Sequence, residues 1–435
     1  MNVLPLMILL FAIALLVILS YKGLSQVIAP FVCTAVAALV SKSGFTEAFF
    51  NIFPQGASTF VTRMLLPVMS GSIMGEIMSA SGAGESIGKG VTKLLGKDKA
   101  PYIIRRASFI VSLSGMNSSM FAIAALSHVV MKEANLPSYI GMVSFLGMKE
   151  LTSFAMPGLA HSGNLLPSTY LGTDLYAGAV PGLIAMFFGW TLIIIYVNRL
   201  VKDARKNNKG YENFFAEKQN ENAAGETPSF ITAVIPFSCV LVLTFILQKV
   251  FLIKASVAAF ATQTFAIVLM VVSCRKYFRL KIGAALTAGA KRGGEFLVSA
   301  SCLVGFASVV ADTPVFEDIQ VFLASLNMNP YLFTFIAVSV IAAVACDASS
   351  AIIMFFQTFA ENFLSDPTVN LGFIHRIAAI TCTGFDSLPQ GGMCLLTLKT
   401  FGYDHKSGYK YLCMASLVVP FLSGFVCTVV SMILS

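Results

Sequence analysis

The stretch that decides the fold is Phe154–Asn164, FAMPGLAHSGN, which places a proline and two glycines in the middle of a long apolar segment. A second stretch of this kind, GFDSLPQGG at Gly384–Gly392, lies in the other half of the chain. Proline removes a backbone donor and glycine favours irregular backbone, so both stretches predict interrupted helices. We therefore expect two broken helices, over about 138–172 and about 370–397.

Around these stretches the chain is strongly apolar. Hydrophobic residues make up 57% of it and charged residues only 11%, with a mean hydropathy of +0.81. Soluble domains carry about 25% charged residues, so this composition indicates that the lipid bilayer is the solvent. The sequence predicts an all-α polytopic membrane protein, because runs long enough to cross the hydrocarbon core recur along it: Val3–Ser20, Leu24–Val40, Phe60–Ala80, Tyr176–Val197, Phe230–Phe251, Ala255–Cys274, Phe296–Ala311 and Leu412–Leu434.

The net charge of +8 comes from three basic segments between these runs, Lys89–Arg106, Arg199–Lys218 and Arg275–Arg292. Positive loops stay in the cytoplasm, so the charge predicts membrane topology and no nucleic-acid partner. We expect a multi-pass protein of the cell inner (plasma) membrane with both termini outside. The polar residues 199–229 are expected to form a cytoplasmic linker between two halves, 1–198 and 230–435.

The two halves match when residue n is aligned with residue n + 230. This register superimposes the apolar runs, and it pairs Gly75 with Gly305, Pro137 with Pro367, Gly172 with Gly402 and Asp174 with Asp404. The match between the halves rests mainly on the hydropathy pattern rather than on identical residues. We therefore predict an internal repeat.

Charge then predicts that the repeats are inverted. A segment at about 103–131 is too short for two crossings, which need about 40 residues, and a single crossing would put the basic segment at Arg199 on the wrong side. A re-entrant hairpin entering from the cytoplasm satisfies both constraints, with a polar tip at Ser114–Ser119. The matching segment, about 330–361, breaks at Cys346–Ser350 and has acidic flanks, so it predicts a hairpin from the outside. Each repeat then has five transmembrane helices plus one re-entrant hairpin, an odd number, which turns the second repeat upside down.

Interrupted helices expose amide N–H groups that suit a carboxylate and carbonyl ends that suit a cation. Asp347 and Asp386 are the candidate coupling-ion residues, because ionisable groups at membrane depth are usually functional. The alternatives are that glycine and proline only ease helix packing, that His161 is a structural hydrogen bonder, and that an Asp lies in water or caps a half-helix. The candidate substrate-binding residues are Asn117, Ser118, Ser119, Gly158, His161, Ser162, Asn164, Ser349, Ser350, Ser387, Gln390, Gly391 and Gly392.

Other sequence features predict structure rather than chemistry. Lys149 with Glu150, and Arg63 with Glu76, are each expected to form a structural ion pair. The run GAGESIGKG at Gly82–Gly90 lacks the strand and the ending of a phosphate-binding loop, which argues against an ATP-driven pump. The nine cysteines have no metal-ligand spacing, and no hydrolase motif is present, so we expect no metal, no cofactor and no enzyme activity.

Three stretches, Met69–Gly96, Met156–Gly182 and His375–Lys410, resemble the gluconate permease family (gluconate:H⁺ symporters, GntP-type) of the ion-transporter superfamily. The resemblance implies inverted repeats, two re-entrant hairpins, a scaffold that forms a homodimer and an elevator-like movement. It also implies symport of a small organic anion, such as gluconate or another hydroxy or keto acid. The chain has Pro389-Gln390-Gly391-Gly392 where relatives have Pro-His-Asn-Gly, so gluconate itself is not fixed by the resemblance.

We therefore expect a secondary active transporter that couples a cation, H⁺ first, to a small carboxylate. A Na⁺-coupled di- or tricarboxylate (citrate-like) transporter and an anion channel remain as alternatives.

Overall fold

The computed structural model describes residues 3–22, 24–25, 27–87, 100–112, 124, 127, 130–132, 134–211, 226–278, 281–325, 328–345, 348–389 and 392–435. Within these ranges the chain consists of helices and their connections, without strands.

The first half contains seven long helices among its described residues. The helix α3 follows a short helical turn, Phe45–Glu47, and a π-helical segment, Ala48–Ile52. The seven helices are α1 Val3–Tyr21, α2 Ile28–Ala38, α3 Phe53–Ala80, α4 Ala100–Ser112, α5 Ser138–Ala155, α6 Ser162–Leu171 and α7 Ala179–Lys206.

The described part of the second half continues this series. Its helices are α8 Phe230–Phe245, α9 Ala255–Ser273, α10 Ile282–Ala311, α11 Pro314–Ser325, α12 Pro330–Ala345, α13 Ala348–Leu364, α14 Leu371–Phe385, α15 Gly392–Thr400, α16 His405–Cys413 and α17 Val419–Leu434. Short π or 3₁₀ segments follow α8, α9 and α16, at Ile246–Val250, Arg275–Tyr277 and Met414–Val418.

Helix boundaries in the two halves fall at the same offset of 230 residues. The first residues of α4 and α12 are Ala100 and Pro330. The last residues of α5 and α14 are Ala155 and Phe385, and the first residues of α6 and α15 are Ser162 and Gly392. Packing follows the same register, because α4 lies on α5 as α12 lies on α14, and α5 lies on α7 as α14 lies on α17.

Equivalent helices also pack on each other across the two halves, most extensively α3 on α10. Gly289, near the start of α10, lies so close to Ile73 that an added Cβ would be 2.6 Å from its Cα. At the other end, a Cβ on Gly305 would be 2.7 Å from the Phe53 carbonyl oxygen. Early residues of one helix thus contact late residues of the other, so α3 and α10 are antiparallel.

The α3–α10 interface corrects one sequence prediction. Glu76 forms its ion pair with Arg292 of α10, with 2.6 Å between Oε2 and Nη1. The predicted pairing of Glu76 with Arg63 is wrong, since 13 residues along one helix separate them by roughly 20 Å.

Helix lengths refine the predicted spans. Among the described residues, four helices are long and apolar enough to cross a membrane: Ala179–Lys206, Ser256–Ser273, Ile282–Ala311 and His405–Leu434. The apolar run Leu24–Val40 yields only the 11-residue α2, about 16 Å long, so it is not a full helical span. The basic segment Arg275–Arg292 is not a loop throughout, because α10 begins at Ile282 and carries Arg292.

Within the described part of the chain, buried apolar side chains form two clusters, and each cluster contains residues of both halves. One includes Phe60 with Phe306 and Phe355, and the other includes Phe145 with Phe401. The two halves are therefore packed into each other instead of folding as separate domains.

Candidate functional site

The first interruption, called here the first break, is the six-residue stretch Met156–His161 between α5 and α6. Gly158 has a φ of +81°, and its N–H donates to the Leu175 carbonyl at 2.9 Å. A Cβ at this position would lie 2.5 Å from the Tyr176 hydroxyl. Both the backbone conformation and the close approach therefore require glycine here.

His161 caps the start of α6. Its Nδ1 accepts a hydrogen bond from the Gly163 N–H at 3.3 Å, and its ring contacts the Phe154 ring edge-on with 4.5 Å between centroids. Accepting at Nδ1 requires the neutral tautomer with the proton on Nε2. His161 thus has the structural capping role that the sequence left open as an alternative.

Asn164, the third residue of α6, is fully buried. Its Nδ2 donates to the Ser153 carbonyl at 3.0 Å and to the Leu159 carbonyl at 3.1 Å. Its Oδ1 accepts from Nη1 of Arg376 at 2.8 Å. Both donors of this predicted substrate ligand are therefore already used to join α5, the first break and α6.

Arg376 of α14 is a central residue that was not among the site residues predicted from the sequence. It is fully buried, and its Nε donates to the Ala177 carbonyl at 3.1 Å. Nη1 donates to the Phe154 carbonyl at 3.0 Å as well as to Asn164, and Nη2 donates to the carbonyls of Leu175 at 3.0 Å and Ala177 at 2.8 Å. An arginine within an apolar run, HRIAAI, was the signal that could have found it.

The second interruption, the second break, spans residues 386–391 between α14 and α15, and residues 386–389 of it are described. Asp386 follows the last residue of α14 and is half-buried, and it accepts a hydrogen bond from the Ser387 hydroxyl at 2.9 Å. The Ser387 carbonyl accepts from the Tyr409 hydroxyl at 3.2 Å. This break therefore presents a carboxylate where the first break has Met156 at the equivalent position.

Ser349 and Ser350 lie in the first turn of α13, which packs on α6 and on α14. Ser350 is fully buried, whereas Ser349 keeps 8% of its surface exposed. Ser162, the first residue of α6, is half-buried. Within the described part of the chain, the hydroxyls of Ser162 and Ser349 make no hydrogen bond, so both are available to a ligand.

Several predicted site residues lie outside the described residues. They are Asn117, Ser118 and Ser119 at the first predicted hairpin tip, Asp347 at the second, and Gln390 and Gly391 in the second break. Gly392 is the first residue of α15. Their roles stay predictions.

Lys149 and Glu150 form the predicted ion pair on α5, at 2.9 Å between Nζ and Oε1. Both side chains are almost completely buried. The pair lies less than two turns before the first break, since α5 ends at Ala155.

Comparison with known proteins identifies the family of this fold. The sequence profile of the GntP family permeases matches residues 4–433, nearly the whole chain. The chain belongs to the GntP permease family. It is accordingly an integral membrane transporter.

Two known proteins are similar to this GntP-family permease over nearly its whole length. The "Uncharacterized transporter YxjC" of Bacillus subtilis (strain 168) is 24% identical over 95% of this chain and 96% of that protein. The crystal structure of the Alcanivorax borkumensis YdaH transporter, described as having an unusual topology, is similar with a TM-score of 0.56 and 12% identity over 99% of this chain and 98% of that chain. At this identity the likeness extends to the fold alone.

Proposed function

We propose that this GntP-family permease is a cation-coupled symporter, driven by H⁺, for a small organic anion such as gluconate or another hydroxy or keto acid. The observation that carries the proposal is the pair of helix breaks at one repeat offset, with free hydroxyls at the start of α6 and α13 and a carboxylate at the end of α14. Hydroxyls and helix N-termini suit an anion, and a half-buried carboxylate suits a proton or another cation.

Contacts among helix ends and connecting segments support the inverted topology within this proposal. In the described residues, segments predicted to lie outside bond to each other, and so do those predicted to be cytoplasmic. On the predicted outer side, the Lys42 N–H donates to the Asp312 carbonyl at 2.9 Å, and Thr173 bonds to His375 at 2.8 Å. On the predicted cytoplasmic side, the Ser86 hydroxyl donates to the Pro228 carbonyl at 2.6 Å and the Tyr211 N–H donates to Asn135 at 3.1 Å. Ser138 bonds to Tyr403 on the same side at 2.6 Å.

Helix lengths support a re-entrant hairpin at α12 and α13. These helices contain 16 and 17 residues and pack against each other, on either side of residues 346–347. At 1.5 Å per residue each is about 25 Å long, which is shorter than a hydrocarbon core of about 30 Å. Helices of this length that enter and leave the membrane on the same side support the re-entrant hairpin of the proposal.

The anion would bind between the first turns of α6 and α13. Tyr170 stacks on Phe356 with 5.9 Å between ring centroids, and each residue is eight positions past the start of its helix. Parallel helices that begin at the same depth give this kind of contact. Ser162 and Ser349 would then offer two hydroxyls to one carboxylate, beside two partial positive charges.

The coupling cation would bind at the second break. Asp386 is half-buried, and its Oδ1 accepts a hydrogen bond from the Ser387 hydroxyl. A carboxylate in this position can take up a proton together with the anion and release it on the other side. Homodimer formation and elevator-like movement belong to the proposal by family likeness, and outside termini belong to it by the positions of the basic segments.

The test is uptake of radiolabelled carboxylates into proteoliposomes containing the native protein, with protein-free liposomes as the control. Mono-, di- and tricarboxylates are compared under an imposed pH gradient and under a Na⁺ gradient. Accumulation of a hydroxy or keto acid driven by the pH gradient is the expected result. Accumulation driven by a Na⁺ gradient alone would show that Na⁺, not H⁺, is the coupling ion. Anion flux that only runs down the anion's own gradient, without accumulation, would contradict symport.

A further inference from the structure

Three of the four terminal carbonyls of α5 at the first break already accept hydrogen bonds from the protein itself. The last four carbonyls of a helix have no partner within the helix. Here the Thr152 carbonyl accepts from the Met156 N–H at 3.1 Å, the Ser153 carbonyl from Asn164, and the Phe154 carbonyl from Arg376. The fourth, on Ala155, lies against Gly182, where an added Cβ would be 2.8 Å from the oxygen.

A broken helix in a transporter offers such carbonyls to a coupling cation. At the first break the cation among them is the guanidinium of Arg376. All of its N–H groups donate to backbone carbonyls or to the Asn164 amide, which are uncharged acceptors. The positive charge is thus held without a bonded carboxylate.

This charge also lies beside the first turn of α6, because Nη1 is 2.8 Å from Oδ1 of the third residue of that helix. Positive charge stabilises a helix C-terminus and destabilises an N-terminus. The guanidinium therefore suits the end of α5 and does not suit the start of α6. An anion at the start of α6 would remove this conflict.

Asp174 is a negatively charged residue in the connection between α6 and α7, and its Oδ1 accepts from the Tyr176 N–H at 2.7 Å. It lies close enough to interact with Arg376 electrostatically but is half-buried, so water screens it in part. It offsets the guanidinium only partly.

We propose that Arg376 is a built-in counter-cation: it supplies, at the first break, the positive charge that a bound cation would otherwise supply, and it attracts the substrate anion without contacting it. This inference rests on the anion transport proposed above. It makes Arg376 a positioning and charge-supplying residue, and it leaves the second break as the place for the mobile cation.

The test compares Arg376→Lys with Arg376→Gln, because both lose the five-donor fork and only the first keeps the charge. Anion KM is measured by counterflow in proteoliposomes, and thermal unfolding of the purified protein is followed through its single tryptophan, Trp190. The expected result is a similar fall in apparent Tm for both variants, with KM raised about tenfold or more in Arg376→Gln and about threefold or less in Arg376→Lys. Equal changes in KM would overturn the inference and leave Arg376 a purely structural residue.

A second pair of variants keeps the test decisive if the Arg376 variants do not fold. Asn164→Asp places a carboxylate against the guanidinium and cancels its charge, whereas Asn164→Ala removes the same amide donors and leaves the charge. KM is expected to rise several-fold more in Asn164→Asp than in Asn164→Ala, and the same KM in both would overturn the inference. Absence of any anion transport by the native protein would instead contradict the proposed function.

Discussion

The two helix breaks occupy equivalent positions in the repeat but differ in charge. At the first break, Asn164 and Arg376 cap the end of α5. Their equivalents at the second break, 230 residues away in either direction, are Cys394 and Leu146, and a carboxylate, Asp386, stands where the first break has Met156. The interrupted helix thus lies beside a buried arginine in the first repeat and carries a carboxylate in the second repeat. The two repeats share their helical framework, and their differences in charge support the different roles proposed for the two breaks.

The largest expected effect comes from the ion pair that precedes only the first break. The residues equivalent to Lys149 and Glu150 in the second repeat are Ala379 and Ile380. Lys149→Ala leaves Glu150 buried without its partner, so we expect a loss of stability of about 3–5 kcal/mol, measured as a fall in apparent Tm. The double variant Lys149→Ala/Glu150→Ile copies the second repeat and should regain most of that loss. A double variant that is stable but does not transport would show that the pair is functional.

A smaller but still large effect is expected at Gly178, which packs against Arg376. Its φ is +59°, and an added Cβ would be 2.6 Å from Cβ of Arg376. Alanine in this backbone conformation costs about 1–2 kcal/mol before the contact is counted, so Gly178→Ala should impair both folding and uptake. The matched control is its repeat equivalent Gly408→Ala, which lies within α16 and meets side chains of Leu398 and Tyr403. Equal loss in both variants would show that the region around Arg376 is not specially constrained.

The smallest expected effect concerns Asp174, which lies near the guanidinium. Asp174→Asn keeps an acceptor for the Tyr176 N–H and removes a negative charge, so the anion should bind slightly more tightly, with KM lowered roughly twofold. Counterflow at low ionic strength measures this change. A raised KM would argue that Asp174 itself contributes to binding.

Much of the helical framework could be predicted from hydropathy and turn residues. The offset of 230 residues came from apolar runs, and helix ends at Ala155 and Phe385 fall at that offset. Proline and glycine also indicated both breaks, because their backbone preferences are local. The extent of helix was less predictable, as α2 and the basic start of α10 show.

The partners of charged residues could not be predicted in the same way. Glu76 pairs with Arg292, which is far away in sequence, and Arg376 makes five hydrogen bonds to four acceptors in the other repeat. These contacts depend on how helices cross, which no local pattern contains. For the same reason Asn164 looked available to a substrate although its amide is already bonded.

The most direct test of the central claim, that the mobile cation binds at the second break, uses Asp386→Asn. Asparagine imitates the protonated carboxyl group, so the variant should bind the anion and exchange it in counterflow. Asp404→Asn is the matched control, because hydrogen bonds from Ser407 hold the pKa of Asp404 below its usual value and asparagine can replace it as the helix cap.

Both variants and the native protein are reconstituted, and anion accumulation under an imposed pH gradient is measured alongside counterflow. If Asp386 binds the coupling cation, Asp386→Asn retains counterflow and loses accumulation, while Asp404→Asn retains both. Accumulation by Asp386→Asn at the native level would contradict this role of Asp386.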